Sequence, residues 1–244
     1  MPDTKLIFEF FDIHFCLSYF FAPYESIADR VLNPAIVPIN GLSMKSNNQL
    51  SNQYNDFTKS APAAVKDPII AAKTSFINTY DTSQVINPGT RLSPFSLPSA
   101  TGETVDSSTY LSSQTPLLIT FYRGSWCPFC SLALSAHQSH LATYKAYGVQ
   151  CIAISPELPD TSLSAVEKAD LKFLVLSDVG NAYARQLGIV FRQSESLRQP
   201  FETLGINLKE RNGDDSFEVP VPRLEPETAT QWIEKTESED GNIA

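Results

Sequence analysis

Basic side chains are scarce in this sequence: 18 Lys and Arg stand against 27 Asp and Glu in 244 residues, a formal net charge of −9. Such a surface repels phosphate backbones and anionic headgroups, which excludes nucleic acid and an anionic membrane as partners. Cysteine is sparse as well. Four residues in a chain of this length are too few for a disulfide scaffold, so a reducing, cytoplasmic setting is expected. With only three histidines there is no second close pair of Cys or His at finger-like spacing. Structural zinc needs four ligands, so no metal site is expected, and no cofactor either. A membrane-spanning run is also missing. Leu6 to Phe21 is rich in phenylalanine but is broken by Glu9, Asp12 and His14, and it falls short of the ~20 apolar residues a spanning helix needs. Asp3 offsets Lys5 ahead of it, which makes a poor signal peptide.

What is present is organised around Phe121-Tyr122-Arg123-Gly124-Ser125-Trp126-Cys127-Pro128-Phe129-Cys130, between an apolar run and a helix-like segment. Two thiols three residues apart, where a strand gives way to a helix, share one helical face within disulfide reach. A thiol at a helix N-terminus feels unpaired N–H groups and the positive end of the dipole, which stabilise its thiolate. Pro128 suits the first helical turn, because its missing N–H costs nothing there and its fixed φ is already helical. The pattern therefore makes Cys127 the attacking thiolate and Cys130 a second, less exposed thiol one turn further in. Arg123 is placed to hold the thiolate or a substrate oxygen, or else to form a surface ion pair. Ser125 is a nearby donor. Trp126 is expected to cover the site and offer a docking surface.

Along the chain, residues 1–42 form a segment apart, in which His14 and Cys16 carry no assigned role. Residues 43–86 form a helical lead-in, with helices over Gln49 to Phe57 and Ala63 to Tyr80 separated by Pro62. Asn87-Pro88-Gly89 is a turn signal, and Phe95 to Pro98 followed by Ala100 to Glu103 reads as an edge strand and turn. Strands over Leu117 to Tyr122, Val149 to Ile154 and Phe173 to Leu176 then alternate with helices over Ser131 to Tyr147, Thr161 to Ala169 and Val179 to Leu187. That order predicts an α/β fold with a mostly parallel sheet flanked by helices. The domain is expected over residues 87–222. Residues 223–244 form an acidic tail without strand-like alternation. His137 lies ten positions along the helix from Cys127, about 15 Å away, too far to act as its base. His140 is expected on the opposite side, and Cys151 in a buried strand position.

Phe121 to Cys130, Ile152-Ala153-Ile154-Ser155-Pro156 and Leu176-Ser177-Asp178 together resemble the peroxiredoxin-like branch of the alkyl-hydroperoxide reductase and thiol-specific antioxidant superfamily. The resemblance covers roughly Gln49 to Pro222. It implies a thioredoxin-like fold and reduction of hydrogen peroxide or alkyl hydroperoxides, with Cys127 matching the peroxidatic thiol and Cys130 the second cysteine. Thioredoxin or a similar dithiol would return the electrons. One departure concerns Gly124, which stands where typical members carry Thr or Ser; it favours a general thiol-disulfide oxidoreductase instead. Val219-Pro220-Val221-Pro222 is similar to the place where this fold sets a cis-proline beside the site, which makes Pro222 a structural neighbour. The usual C-terminal β-hairpin and helix do not follow it in the sequence. A truncated, non-catalytic redox-binding module is the third reading, and a sheet edge left open predicts a homodimer.

Overall fold

The computed structural model describes residues 6–7, 40–86, 90, 92–111 and 117–221. His14, Cys16, the Asn87-Pro88-Gly89 turn and everything from Pro222 onward lie outside these residues, and with them the expected loss of a C-terminal hairpin. In chain order the elements begin with β1 (Leu6–Ile7), α1 (Asn40–Ser60) and α2 (Ala63–Thr79). They continue with β2 (Ser96–Pro98), β3 (Thr104–Asp106), α3 (Ser108–Leu111), β4 (Leu117–Phe121), α4 (Pro128–Ala146), β5 (Gln150–Ser155), α5 (Pro159–Ala169) and β6 (Leu174–Ser177). The last are α6 (Ala182–Gln186), β7 (Val190–Arg192), α7 (Arg198–Thr203), α8 (Leu208–Asn212) and β8 (Glu218–Pro220).

β4, β5 and β6 pair in parallel, with Ile119 opposite Ile152 and Ile154 opposite Leu176. A continuous apolar run such as Leu117–Phe121 forms a strand only where both faces of the sheet are covered, and both are. Leu118 points to a core with Cys151, Val175, Leu134, Leu141 and Tyr144, and Leu117 and Phe121 point to a second with Ile152, Ile154, Leu176 and Tyr183. The period of two along each strand accounts for this division. The fold class read from the sequence, α/β with a mostly parallel sheet flanked by helices, is the one found.

The N-terminal segment read as separate from the domain contributes two residues to this sheet. Leu6 and Ile7 pair in parallel with Leu117 and Leu118, giving the sheet order β1-β4-β5-β6. At the other side a β2–β3 hairpin approaches β6 through a bridge between Ser99 and Leu176. Pro62 separates α1 from α2 as expected; α1 lies against α4, and α2 against α7.

The third predicted helix is split. Val179–Asn181 is a 3-10 turn and α6 follows it, because Gly180 and Asn181 take left-handed φ values. Asp178 organises this break: its carboxylate accepts the N–H of Tyr183 at 3.0 Å and of Ala184 at 2.8 Å. Just beyond, Gly188 has φ +70, and a Cβ there would fall 1.8 Å from the carbonyl oxygen of Gln84. Only glycine allows the segment before residue 87 to dock through the bond from Ile86 N–H to the Leu187 carbonyl at 3.0 Å.

Residues 190–221 hold structure that the sequence pattern did not disclose. β7 and β8 form an antiparallel pair, and Leu197, Phe201, Leu208, Phe217 and Val219 build a small third core against Ile69 and Ala72 of α2. Val219 and Pro220, read as part of a cis-proline loop, are strand residues of this pair. No cis peptide bond occurs among the described residues.

Candidate active site

The loop from Tyr122 to Cys127 leaves the end of β4 and enters α4. Cys127 is the N-cap of α4 with extended backbone (φ −90, ψ 111), and Pro128 opens the helix. The Cys127 N–H turns back to the Gly124 carbonyl at 3.2 Å, and the Ser131 N–H reaches the Cys127 carbonyl at 3.0 Å. The sequence reading made Cys130 the less exposed of the two thiols. In the structure both are buried, Cys127 at 1% exposed and Cys130 at 3%, because Trp126 and Phe129 pack over the core that both thiols join.

Electrostatics separates the two sulfurs. The Cys130 thiol hydrogen-bonds the Cys127 sulfur, and the Arg123 guanidinium lies beside it, with Nη2 donating to Sγ at 3.0 Å. Burial opposes ionisation, yet these partners win and bring Cys127 down to about 5. Cys130, donating to that sulfur and buried next to its charge, is pushed well above the usual thiol range. Burial also works against the charge on Arg123, but the two sulfurs outweigh it and raise its pKa. Arg123 thus lies on the Cys127 sulfur rather than in a surface ion pair. Cys151, with no such partner, is pushed up to about 12 by burial and stays an inert core thiol.

Ser125 does not face the thiol. Its N–H donates to Glu157 Oε2 at 2.8 Å and its hydroxyl to Glu157 Oε1 at 3.1 Å. Arg211 on α8 completes the group, with Nε to Glu157 Oε1 at 2.9 Å and Nη2 to Ser125 Oγ at 2.6 Å. Glu157 is fully buried, and the pairing gives its carboxylate the partners a buried charge needs. Neither Glu157 nor Arg211 was singled out from the sequence. Glu157 follows the Ile152 to Pro156 motif directly, which was the one signal available for it; Arg211 had none.

Trp126 joins two cores rather than standing free. It packs against the thiol-bearing core and, 5.1 Å from the Phe201 ring, against the C-terminal one, while Arg123 sits 5.7 Å from its ring centroid. Gly124 adopts φ +147, and a Cβ there would lie 2.4 Å from Trp126 Nε1 and 3.0 Å from Glu157 Cδ. A hydroxyl-bearing side chain therefore has no room at this position unless the indole moves. Gly124→Ala is expected to lower stability by about 1–3 kcal/mol through overpacking and the unfavourable φ, read as a lower Tm. An unchanged Tm would show that the loop yields freely.

His137 and His140 are both buried and flank the same Tyr144 ring, at 6.1 and 6.3 Å between centroids, so His140 is not on the opposite side of the helix. His137 Nδ1 lies 3.1 Å from the Tyr144 hydroxyl and His140 Nδ1 2.9 Å from the Ala136 carbonyl. These are packing contacts within the core. Pro222 lies outside the described residues; Val219, three positions earlier in the sequence, belongs to the core that Trp126 touches.

The AhpC/TSA family model matches residues 88–204, the stretch that carries β2 to β7, the thiol loop and α7. Over that stretch, just under half of the chain, the sequence is similar to the AhpC/TSA family. The putative peroxiredoxin bcp of Buchnera aphidicola is 28% identical over 104 residues, which are 43% of this chain and 65% of that protein. The chain thus spans just under two thirds of the length of this curated relative. Among solved structures it is similar to peroxidoxin BcpB from Mycobacterium tuberculosis, at 22% identity and a TM-score of 0.41, over 42% of this chain and 66% of that one. It is also similar to Enterococcus faecalis AhpC, at 16% identity and a TM-score of 0.46, over 66% of this chain and 98% of that one. Arg211 lies outside the stretch that the AhpC/TSA family model matches.

Proposed function

We propose that the protein is a thiol-dependent peroxidase that reduces hydrogen peroxide or small alkyl hydroperoxides. The observation that carries this reading is the Arg123 Nη2 to Cys127 Sγ contact at 3.0 Å, beside a Cys130 thiol that also donates to Cys127. The thiolate sulfur attacks one peroxide oxygen and the O–O bond breaks. The other oxygen leaves, takes up a proton and departs as alcohol or water, and Cys127 is left as sulfenic acid. The Cys130 sulfur then attacks Cys127, a disulfide forms and water is released. Thioredoxin or a similar dithiol reduces the disulfide by exchange and is itself oxidised. Arg123 holds the thiolate and is placed to meet the developing oxygen charge.

Gly124 favours a second reading, since no side-chain hydroxyl stands there to donate to a peroxide. The same pair would then serve general thiol-disulfide exchange. Hydrogen peroxide consumption with a thioredoxin regenerating system, run beside disulfide exchange on a model substrate, separates the two. Peroxide turnover supports the first reading and exchange alone the second. Loss of both would leave a non-catalytic redox-binding module.

A further inference from the structure

We infer that Arg211, on a helix beyond the AhpC/TSA-matched stretch, is a positioning residue that fixes the thiol loop so that Arg123 stays on Cys127. The inference rests on the reading of Cys127 as the reactive thiol. Three elements distant in sequence meet beneath the loop: Ser125 within it, Glu157 just after β5 and Arg211 on α8. Arg211 bridges them with two nitrogens, one on the carboxylate and one on the Ser125 hydroxyl. Its backbone is tied to the same place, because the Leu158 N–H donates to the Arg211 carbonyl at 2.8 Å. A two-pronged guanidinium fixes both distance and orientation, which a single contact cannot do.

The held segment is short. Ser125 lies two residues from both Arg123 and Cys127, and Gly124 between them has no side chain with which to resist motion. A shift at Ser125 is therefore passed to the Arg123–Cys127 contact. The ionisable or charged groups around this point, among the described residues, are Arg123 in the loop, Cys130 on α4, Tyr122 at the end of β4, Glu157 after β5 and Arg211 on α8. Arg123 and Cys130 act on Cys127 directly. Glu157 and Arg211 act on the loop. Without Arg211 the fully buried Glu157 carboxylate keeps only Ser125, and the loop is drawn away from its present path or admits water.

The test is the pH dependence of iodoacetamide alkylation at Cys127 in the full chain, read by peptide mass spectrometry. Alkylation reports thiol acidity without any peroxide, so the inference survives if the protein proves to be an exchange enzyme instead. Arg211→Met should raise the midpoint; a rise from about 5 to about 6 lowers the rate at pH 5 roughly fivefold. Arg211→Lys keeps a charge beside Glu157 but loses the fork, so its midpoint should fall between those of the wild type and Arg211→Met. In an Arg123→Gln background the Arg211 substitution should have no further effect, since the two act through one contact. A folded Arg211→Met protein with the wild-type midpoint would overturn the inference. So would a shift that persists undiminished without Arg123. Should Arg211→Met not fold, Arg211→Lys decides by the same criteria.

Discussion

Cys127→Ser should abolish reaction with hydrogen peroxide, whereas Cys130→Ser should still react once and stop, with a sulfenic acid that dimedone traps on Cys127. The asymmetry follows from the two sulfurs' surroundings. Cys127 is brought to about 5 by the Cys130 thiol and by Arg123, so at neutral pH it is the thiolate. The same hydrogen bond and burial push Cys130 well above the usual thiol range, so on the proposed peroxidase reading it would resolve the product rather than begin the reaction. Turnover with a dithiol donor should vanish or fall sharply in both variants, and only the trapped intermediate tells them apart. A dimedone adduct on Cys130 would reverse the assignment of roles, and a Cys127→Ser variant that still consumes peroxide would remove it.

Arg123→Gln should shift the acid edge of Cys127 reactivity upward. The thiolate is the reactive form, so the rate is flat above the thiol's pKa and is lost as pH falls through about 5. An opposite charge at this distance lowers a pKa by about one to three units, and removing it moves the edge up by a similar amount. At pH 5 the rate should therefore drop about fivefold or more, while near pH 9 the variant and the wild type converge. The Cys130 hydrogen bond remains, so the variant should still lie below an isolated thiol. An iodoacetamide profile unchanged by the substitution would show that Arg123 does not stabilise the thiolate. If the profile moves while peroxide turnover at pH 9 still falls, Arg123 also acts on the peroxide oxygen.

Several parts of this molecule could be read from local pattern. The buried strand Leu117–Phe121, the alternation of strands and helices through residue 187, the break at Pro62 and the capping of α4 by Cys127 and Pro128 all follow from short-range rules. Residues two or three apart fix strand faces and helix turns, and a proline after a cysteine marks a helix start wherever it occurs. Residues 190–221 carry weaker local signals, with strands of three residues and helices of five or six. Their stability comes from the core around Phe201 and Phe217, which no periodicity announces.

The sequence by itself determined the α/β order and which thiol stands at the helix start, because both depend on neighbours along the chain. Tertiary structure alone decided that Cys127 is buried, that Arg123 lies on its sulfur, and that Ser125 turns away to Glu157 and Arg211. It also decided that Gly124 has no room for a side chain, since the indole that would block a Cβ packs against Phe201, 77 positions after Gly124 in the sequence. Burial, charge pairing and steric exclusion depend on which distant segments meet, and positions 125, 157 and 211 become neighbours only when the sheet and the C-terminal helices pack together.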